Sequence, residues 1–548
     1  MAKRPLVGGA LLTTWLLTLG PSTAQSPSDA EKIERLERQT ELLQKQLRHQ
    51  NERIEALQQE IRRTRKKAAT AERLDQTRKA NRTKPWETST TSAYPEEPNR
   101  AETYNGQPLR GPKLEQVRYL SYPTPAQVGE EHRSAVDPAM TEIRQGAVTF
   151  PDGRPTFTSS DRRMSLAVGE LFQFDVGGYF QNRHSGVFEP PGARELNDGE
   201  NLRRGRIYLV ANFDSWTLRI TPDFGGSPDG TPTLYEANLS YQFDPITLTI
   251  GYFKPYDTLA RSQFPGDSLF MERPSSAFIA SNVADGTQRA SAGFTAATAD
   301  YFIGSYLTGA TYGSQDAVLL NRQQTGGTLR LATRPLRGED WNLHVGFSGS
   351  TVFNFNESKY QPGGSVPGIT LSDQPELRID FNRLIDTGFI PAKTANTWGF
   401  EAAANWRNFL IEGEYIRIDV DPTVGPDLSF SGWYVEGSWV LTGERRPYIA
   451  SSATYGRPMP AHPFRFSPDG GWGAWELAGR YSFTDLNSGV VYGGKQAVTT
   501  AGLSWYPNDH IRFILQGSYV DVNRLDATGK FQVGQSFWDI GLRSQVAY

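Results

Sequence analysis

Between Arg203 and Pro255, apolar and polar residues alternate with period two, break at a tight turn and resume. Ile207, Leu209, Ala211 and Phe213 fall on one side of the first stretch, Arg206, Tyr208 and Asn212 on the other. After Asp214-Ser215 the alternation returns as Trp216, Leu218, Ile220 and Phe224 against Thr217, Arg219, Thr221 and Asp223. Tyr235, Ala237, Leu239 and Tyr241 then oppose Glu236, Asn238, Ser240 and Gln242. In a fourth stretch Ile246, Leu248, Ile250 and Tyr252 oppose Thr247, Thr249 and Gly251. Period two over eight or more residues predicts strands with one apolar and one polar face. Strands of soluble sandwiches average about five to six residues. Strands of about ten, with aromatics near their ends, suit a tilted sheet that crosses a membrane. The apolar face would meet lipid, and the polar face, with Arg206 and Arg219, would line a lumen.

The same pattern runs from Pro155 to the end of the chain. Phe172, Phe174, Val176 and Phe180 alternate with Gln173, Asp175 and Tyr179. Trp398 to Trp406 and Trp433 to Leu441 repeat it, and the last stretch sets Trp538, Ile540, Leu542, Val546 and Tyr548 against Asp539, Arg543 and Gln545. Short turns alternate with longer Gly-, Pro- and Asp-rich segments such as Gln361–Gln374 and Met459–Gly471, the asymmetry expected between the periplasmic and outer ends of a membrane barrel. At about 24 residues per strand and connection, residues 165–548 make roughly 16 strands, enough to leave an aqueous channel. The predicted fold is all-β, a transmembrane antiparallel barrel over 155–548.

The preceding chain reads differently. Residues 1–24 have a basic start (Lys3, Arg4), an apolar stretch from Leu6 to Leu19, and small residues at Ser22 and Ala24, as in a cleaved secretory signal. Within residues 25–66, Ile33, Leu36, Thr40, Leu43, Leu47, Gln50, Ile54, Leu57 and Ile61 fall on alternating three- and four-residue steps, the seam of a coiled coil. Residues 67–154, rich in Pro, Thr, Ser, Glu and Asn, cannot bury enough apolar surface to order themselves and read as a flexible linker. An exported protein with its coiled coil in the periplasm is expected.

Composition narrows the chemistry. Apart from the N-terminus no run approaches the roughly 18 apolar residues of a membrane helix, and a mean hydropathy of -0.52 is compatible with a barrel because its faces alternate. Cysteine is absent, which removes disulfides, thiolate metal sites and a cysteine nucleophile. There is no phosphate-cradling Gly-Lys-Ser/Thr loop and no G-x-S-x-G elbow, and the six histidines show no metal-ligand spacing. Asp419, Asp421 and Asp427 could hold a divalent cation in an outer loop, but solvated acids are the plainer reading. No catalytic residue, cofactor, metal or nucleic-acid partner is expected.

Several stretches resemble the phosphate-selective porins O and P of Gram-negative outer membranes. They are LRRGRIYLVANF (Leu202–Phe213), LTIGYFKP (Leu248–Pro255), FMER (Phe270–Arg273), GWYVEGSWVLTGE (Gly432–Glu444), AWELAGRYSFTDLN (Ala474–Asn487) and LSWYPN (Leu503–Asn508). The resemblance implies a homotrimer of 16-stranded barrels in outer-membrane lipid and passive diffusion of small anions. It also implies a lumen lined with arginines, and a lysine cluster that captures phosphate. The closing SQVAY resembles the terminal aromatic signal read by the outer-membrane barrel assembly machinery.

Arg203, Arg204 and Arg206 match the family's RR-x-R motif, and Lys254 its FKP lysine. With Arg219 across the turn, these are the candidate anion-binding residues, because converging guanidinium and ammonium donors supply charge-assisted hydrogen bonds. By parity Arg204 and Arg206 face the lumen with Tyr208, and Arg203 faces outward unless it sits in a loop. Arg330, Arg417, Arg480 and Arg512 lie in other strand-like stretches. The plainer alternative for each is a lumen residue paired with Glu236, Asp223 or a like acid. From Glu170 onward 25 Arg and 5 Lys stand against 39 acids, a net charge of -9, and no stretch matches the lysine cluster. An anion channel, with phosphate or polyphosphate among its solutes, therefore competes with two rivals. One is a general, sugar or organic-anion channel; the other is a structural anchor tied to the periplasm by its coiled coil.

Overall fold

Long alternating stretches have nowhere to bury their apolar faces except in lipid, and their backbone groups must all be paired there. The computed structural model meets both demands by closure. It describes residues 147–548 except 182, 185–186, 189–193, 226–230, 285–287, 312–323, 356–365 and 468–469. The signal segment, the coiled coil and the linker up to residue 146 lie outside the described residues.

Sixteen antiparallel strands form the wall: β1 (Met164–Gln181), β2 (Gly199–Phe213), β3 (Trp216–Asp223), β4 (Thr233–Phe243), β5 (Ile246–Phe253), β6 (Arg289–Ala297), β7 (Tyr301–Thr311), β8 (Thr325–Arg337), β9 (Trp341–Asn354), β10 (Ile385–Trp406), β11 (Phe409–Pro422), β12 (Leu428–Val440), β13 (Ala474–Ser488), β14 (Val491–Tyr506), β15 (Ile511–Asn523) and β16 (Ser536–Ala547). Each pairs with the next, and β16 pairs with β1 from Phe537↔Gln181 to Ala547↔Leu171, so no edge strand remains. Ahead of the barrel, Ala147–Thr149 pairs with Thr156–Thr158, which pairs with the start of β1. Regular structure thus begins ahead of Pro155.

Strand parity sorts the side chains as the alternation requires. On β1, Phe172, Phe174, Val176 and Phe180 are exposed on the outside while Gln173 and Asp175 are buried within. At the short-turn end, cross-strand partners Trp406, Phe409 and Trp439 stack in sequence outside the wall, and Trp475, Trp505 and Phe513 do the same. Nearer the other end lie Trp398 with Tyr415, Trp433 with Tyr481 and Tyr519 with Trp538. Two aromatic belts bounding an apolar band match an outer-membrane barrel.

Of the register shifts in the described wall, two bear on the site. Between β1 and β2 the register passes from Gln173↔Arg204 to Phe174↔Leu202, so Arg203 is an unpaired bulge residue. Between β3 and β4 it passes from Thr221↔Glu236 to Pro222↔Leu234, leaving Tyr235 unpaired. A bulge inserts one residue and re-aims its side chain. Arg203 and Tyr235, placed outside by simple alternation, both turn into the lumen. Arg417 goes the other way: it sits on the outer face, half exposed and paired with Asp419 at 2.9 Å.

Six of the seven short-turn connections are brief, such as Asp214-Ser215, Asp244-Pro245 and Arg407-Asn408. The seventh, residues 441–473 between β12 and β13, is long. It carries a small hairpin, Tyr448–Ile449 paired with Thr454–Tyr455, and turns inward. At the opposite end the connection between β5 and β6 carries α1 (Leu259–Ser262) and α2 (Ser275–Ala284), both buried.

Candidate functional site

The β5–β6 connection leaves the wall just after Gly251, whose φ of +138° and close approach to Ala237 O exclude a side chain. It then crosses the lumen. Its backbone meets the far wall at Glu414 of β11, which accepts from Leu259 N at 2.5 Å and Ala260 N at 3.0 Å, and at Gln516 of β15, which accepts from Met271 N at 2.9 Å. Backbone in such a place has lost water and needs protein partners.

Wall arginines supply them. Arg512 donates to Ser268 O (2.6 Å) and Leu269 O (2.8 Å), Arg480 to Glu272 O (2.9 Å), and Arg543 to Met271 O. The short-turn connection is held by Arg330 of β8, which donates to Ser452 O (2.6 Å) and Ala453 O (2.8 Å), and by its own Arg446, which donates to Gly456 O (3.1 Å) and across to Asp267 O (2.7 Å). The two inserted connections therefore touch each other inside the barrel, also through Arg457 and Asp267 at 3.3 Å. A third segment, between β9 and β10, contributes Glu376, which accepts from Arg480 at 2.5 Å and from Ser275 N at 3.1 Å.

Four guanidiniums converge on one loop carboxylate, Glu272. Arg203 binds it through two nitrogens at 2.7 and 3.1 Å, Arg543 lies at 3.1 Å, Arg204 at 3.4 Å and Arg378 at 3.8 Å. Burial alone would raise this carboxyl, but Arg203, Arg204, Arg543 and Arg378 outweigh it and hold the group well below the usual carboxylate range. Arg204 also donates to Gln173 at 2.5 Å. Arg206 pairs with Asp223 at 2.7 Å and lies 3.5 Å above the Tyr235 ring. Arg219 stands 4.0 Å from Glu236, and Lys254 donates to Arg261 O.

Thus all five candidates lie on one sector, β2 to β5 and the start of the inserted loop, facing the lumen or that loop. Arg203 and Arg204 form an upper tier around Glu272, and Arg206, Arg219 and Lys254 a lower one. Burial, then Arg261 and Arg273, press the Lys254 ammonium well below the ordinary lysine value. Arg219 and Lys254 open onto a cavity of about 180 Å³ beneath the loop. No described cluster of His, Cys, Asp or Glu is arranged to hold a metal ion.

Glu272, Arg378 and Tyr235 were not picked out from sequence as site residues. FMER contained Glu272, but nothing in its spacing says that this loop residue would meet β2 and β16. Alternation did put Asp539, Arg543 and Gln545 on the lumen side, where they are buried.

A closed 16-strand barrel with a lipid-matched exterior and a charged lumen narrowed by inward-folded connections is an outer-membrane porin. The chain belongs to the phosphate-selective porin O and P family, whose model matches residues 178–543. An uncharacterized protein of Caulobacter vibrioides is 27% identical over 388 residues, 67% of this chain and 71% of that one. Porin O of Pseudomonas aeruginosa is 24% identical over 411 residues, 68% of this chain and 88% of its own. Among solved structures, the anion-selective porin from Comamonas acidovorans is similar with a TM-score of 0.43 and 10% identity, covering 70% of this chain and all of that one (100%).

Proposed function

We propose that this porin passes small anions by diffusion, selected by surplus positive charge where the β5–β6 connection narrows the lumen. The observation that carries the reading is the lower tier: Arg206, Arg219, Arg261 and Arg273, with Lys254 among them, share one neighbourhood with Asp223, Glu236 and Asp257, four guanidiniums against three acids before Lys254 is counted. In a lumen partly shielded from water such an imbalance acts strongly on a passing ion. Lys254 sharpens it, because an arriving anion stabilises the charged ammonium that its neighbours disfavour. Arg203 and Arg204 add field from the upper tier, although Glu272 takes up their hydrogen bonds. Phosphate is one candidate solute. The homotrimer and the periplasmic coiled coil belong to the same reading, on the strength of the family resemblance and the sequence pattern.

The test is the reversal potential of the purified protein in a planar bilayer under a KCl gradient. Anion preference is expected, and the double variant Arg219→Gln/Lys254→Met should lower the chloride-to-potassium permeability ratio at least threefold. A cation-selective wild type, or a double variant with the same ratio, overturns the proposal. The many ion pairs spanning the lumen favour one other reading, a barrel that chiefly anchors the periplasmic segment; a correctly assembled barrel that passes no current would support it.

A further inference from the structure

The cavity beneath the inserted loop is larger and chemically more mixed than an inorganic oxyanion needs. Its volume of about 180 Å³ corresponds to on the order of ten water positions. One wall is a rank of hydroxyls at a single level of three neighbouring strands: Thr217 pairs with Ser240 and Ser240 with Thr249, the last two bonded at 3.0 Å. The short-turn hairpin brings Ser451, Ser452 and Thr454 to the same cavity. Aromatic rings complete it: Tyr256 and Phe264 from the loop, and Tyr235, which the β4 bulge turns inward. Charge enters at one side only, as Arg219 and Lys254 with Glu236.

Each element asks something different of a ligand. Inorganic phosphate at neutral pH carries only one or two P–O–H donors, too few for Glu236 and the acceptor capacity of the whole hydroxyl rank, and it has no apolar face for the rings. A ligand that donates as well as accepts would satisfy both. Aromatic rings suit a ligand with an apolar face, and the cations suit one negative group. A sugar ring with a carboxylate or phosphate substituent has all three: C–H faces, hydroxyls that donate and accept, and a single anionic end. Pockets that hold small organic ligands combine aromatic lining with a few oriented polar groups in this way.

We infer that the cavity formed by the Thr217–Ser240–Thr249 rank, Tyr256, Phe264, Arg219 and Lys254 is a binding site for an anionic carbohydrate. This rests on the channel reading above and names the solute class of that lumen. The hydroxyl rank and the hairpin serines read the sugar hydroxyls, the rings cover a C–H face, and Arg219 and Lys254 take the acid.

The experiment is current block in bilayers holding the full-length protein at neutral pH, with D-glucuronate, D-glucose, inorganic phosphate and benzoate titrated separately. Glucuronate is expected to half-block the channel at a tenfold or more lower concentration than the other three. Ser240→Ala/Thr249→Val, and separately Tyr256→Ala, should each raise that concentration about tenfold; their chloride conductance before solute is added reports assembly. Phosphate blocking as well as glucuronate overturns the inference, since the cations alone then suffice. Benzoate doing so overturns the role of the hydroxyls, and glucose doing so that of the cations. A barrel without current overturns the channel reading and this inference together; a conducting barrel indifferent to glucuronate overturns the inference alone.

Discussion

Glu272 shows how one residue can set the state of a channel loop. Its carboxylate neutralises part of a guanidinium group drawn from β2, β16 and the β9–β10 segment; Arg543 also holds Asp175 at 2.6 Å and Arg378 holds Asp373 at 2.5 Å, so Arg203 and Arg204 depend on it most. Removing one partner of a buried charge pair typically costs about 3–5 kcal/mol, because the remaining charge is left uncompensated. Glu272→Gln should therefore free the loop rather than unfold the wall, which sixteen paired strands hold. Single-channel recordings of the variant are expected to show flicker and raised mean conductance, against a quiet wild type; equally quiet traces would show that the backbone bonds to Arg512 and Arg480 suffice. The pH dependence follows from the depressed carboxyl. Its stabilisation is complete above the unfolded value of roughly 4.3 and disappears only as pH falls through the lower folded value. Wild-type traces should thus stay quiet from pH 7 to about 4.5 and flicker only in stronger acid; onset already near pH 6 would assign the latch to another group. How much of this was legible differs residue by residue. Arg204, Arg206 and Tyr208 face the lumen as parity placed them, because β2 runs without a register shift from Arg204 to Phe213. Parity does not place Arg203 and Tyr235, because a bulge carries no mark in the hydrophobic pattern, and these two ended in the site.

Among elements, the wall was readable and the inserted connections were not. A strand declares its faces locally, through residues two apart, whereas the course of a long connection depends on partners far along the chain. Residues 441–473 illustrate this. The composition of Met459–Gly471 suggested a long outer segment, yet the connection belongs to the short-turn end and folds inward, where Arg330 of β8 and its own Arg446 give its carbonyls charged donors in place of water. Arg330 is fully buried and also binds Glu401 at 2.7 Å, which in turn meets His344 at 2.9 Å. Arg330→Gln keeps a donor but loses the charge and the forked geometry, so the hairpin around Ser452 should loosen. The chain has no cysteine, which makes the test direct. Thr454, 1% exposed, is replaced by Cys, and its reaction with a charged maleimide is timed in the purified protein. Labelling is expected to speed up at least tenfold when Arg330→Gln is added. Unchanged rates would mean that the hairpin is held by its contacts with the β5–β6 connection instead.

For the whole molecule, charge placement matters more than charge total. The barrel region is acidic by nine units, which by itself points to cations, yet the lower tier of the lumen is locally cationic. Ionic strength separates the two scales. At 0.01 M salt the screening length is about 30 Å, so acids all over the molecule act on an ion in the lumen; at 1 M it is about 3 Å, and only the groups beside the ion remain. A pore whose preference came from its total charge would lose selectivity as salt is raised. Here the distant acids oppose the nearby arginines and lysine, so screening should remove the opposition first. The chloride-to-potassium permeability ratio is expected to rise between 0.01 M and 1 M KCl at a fixed tenfold gradient, and to stay low throughout in Arg219→Gln/Lys254→Met. A ratio that falls with salt in the wild type would place the selecting field outside the constriction, in the outer loops, and remove the lower tier from the mechanism.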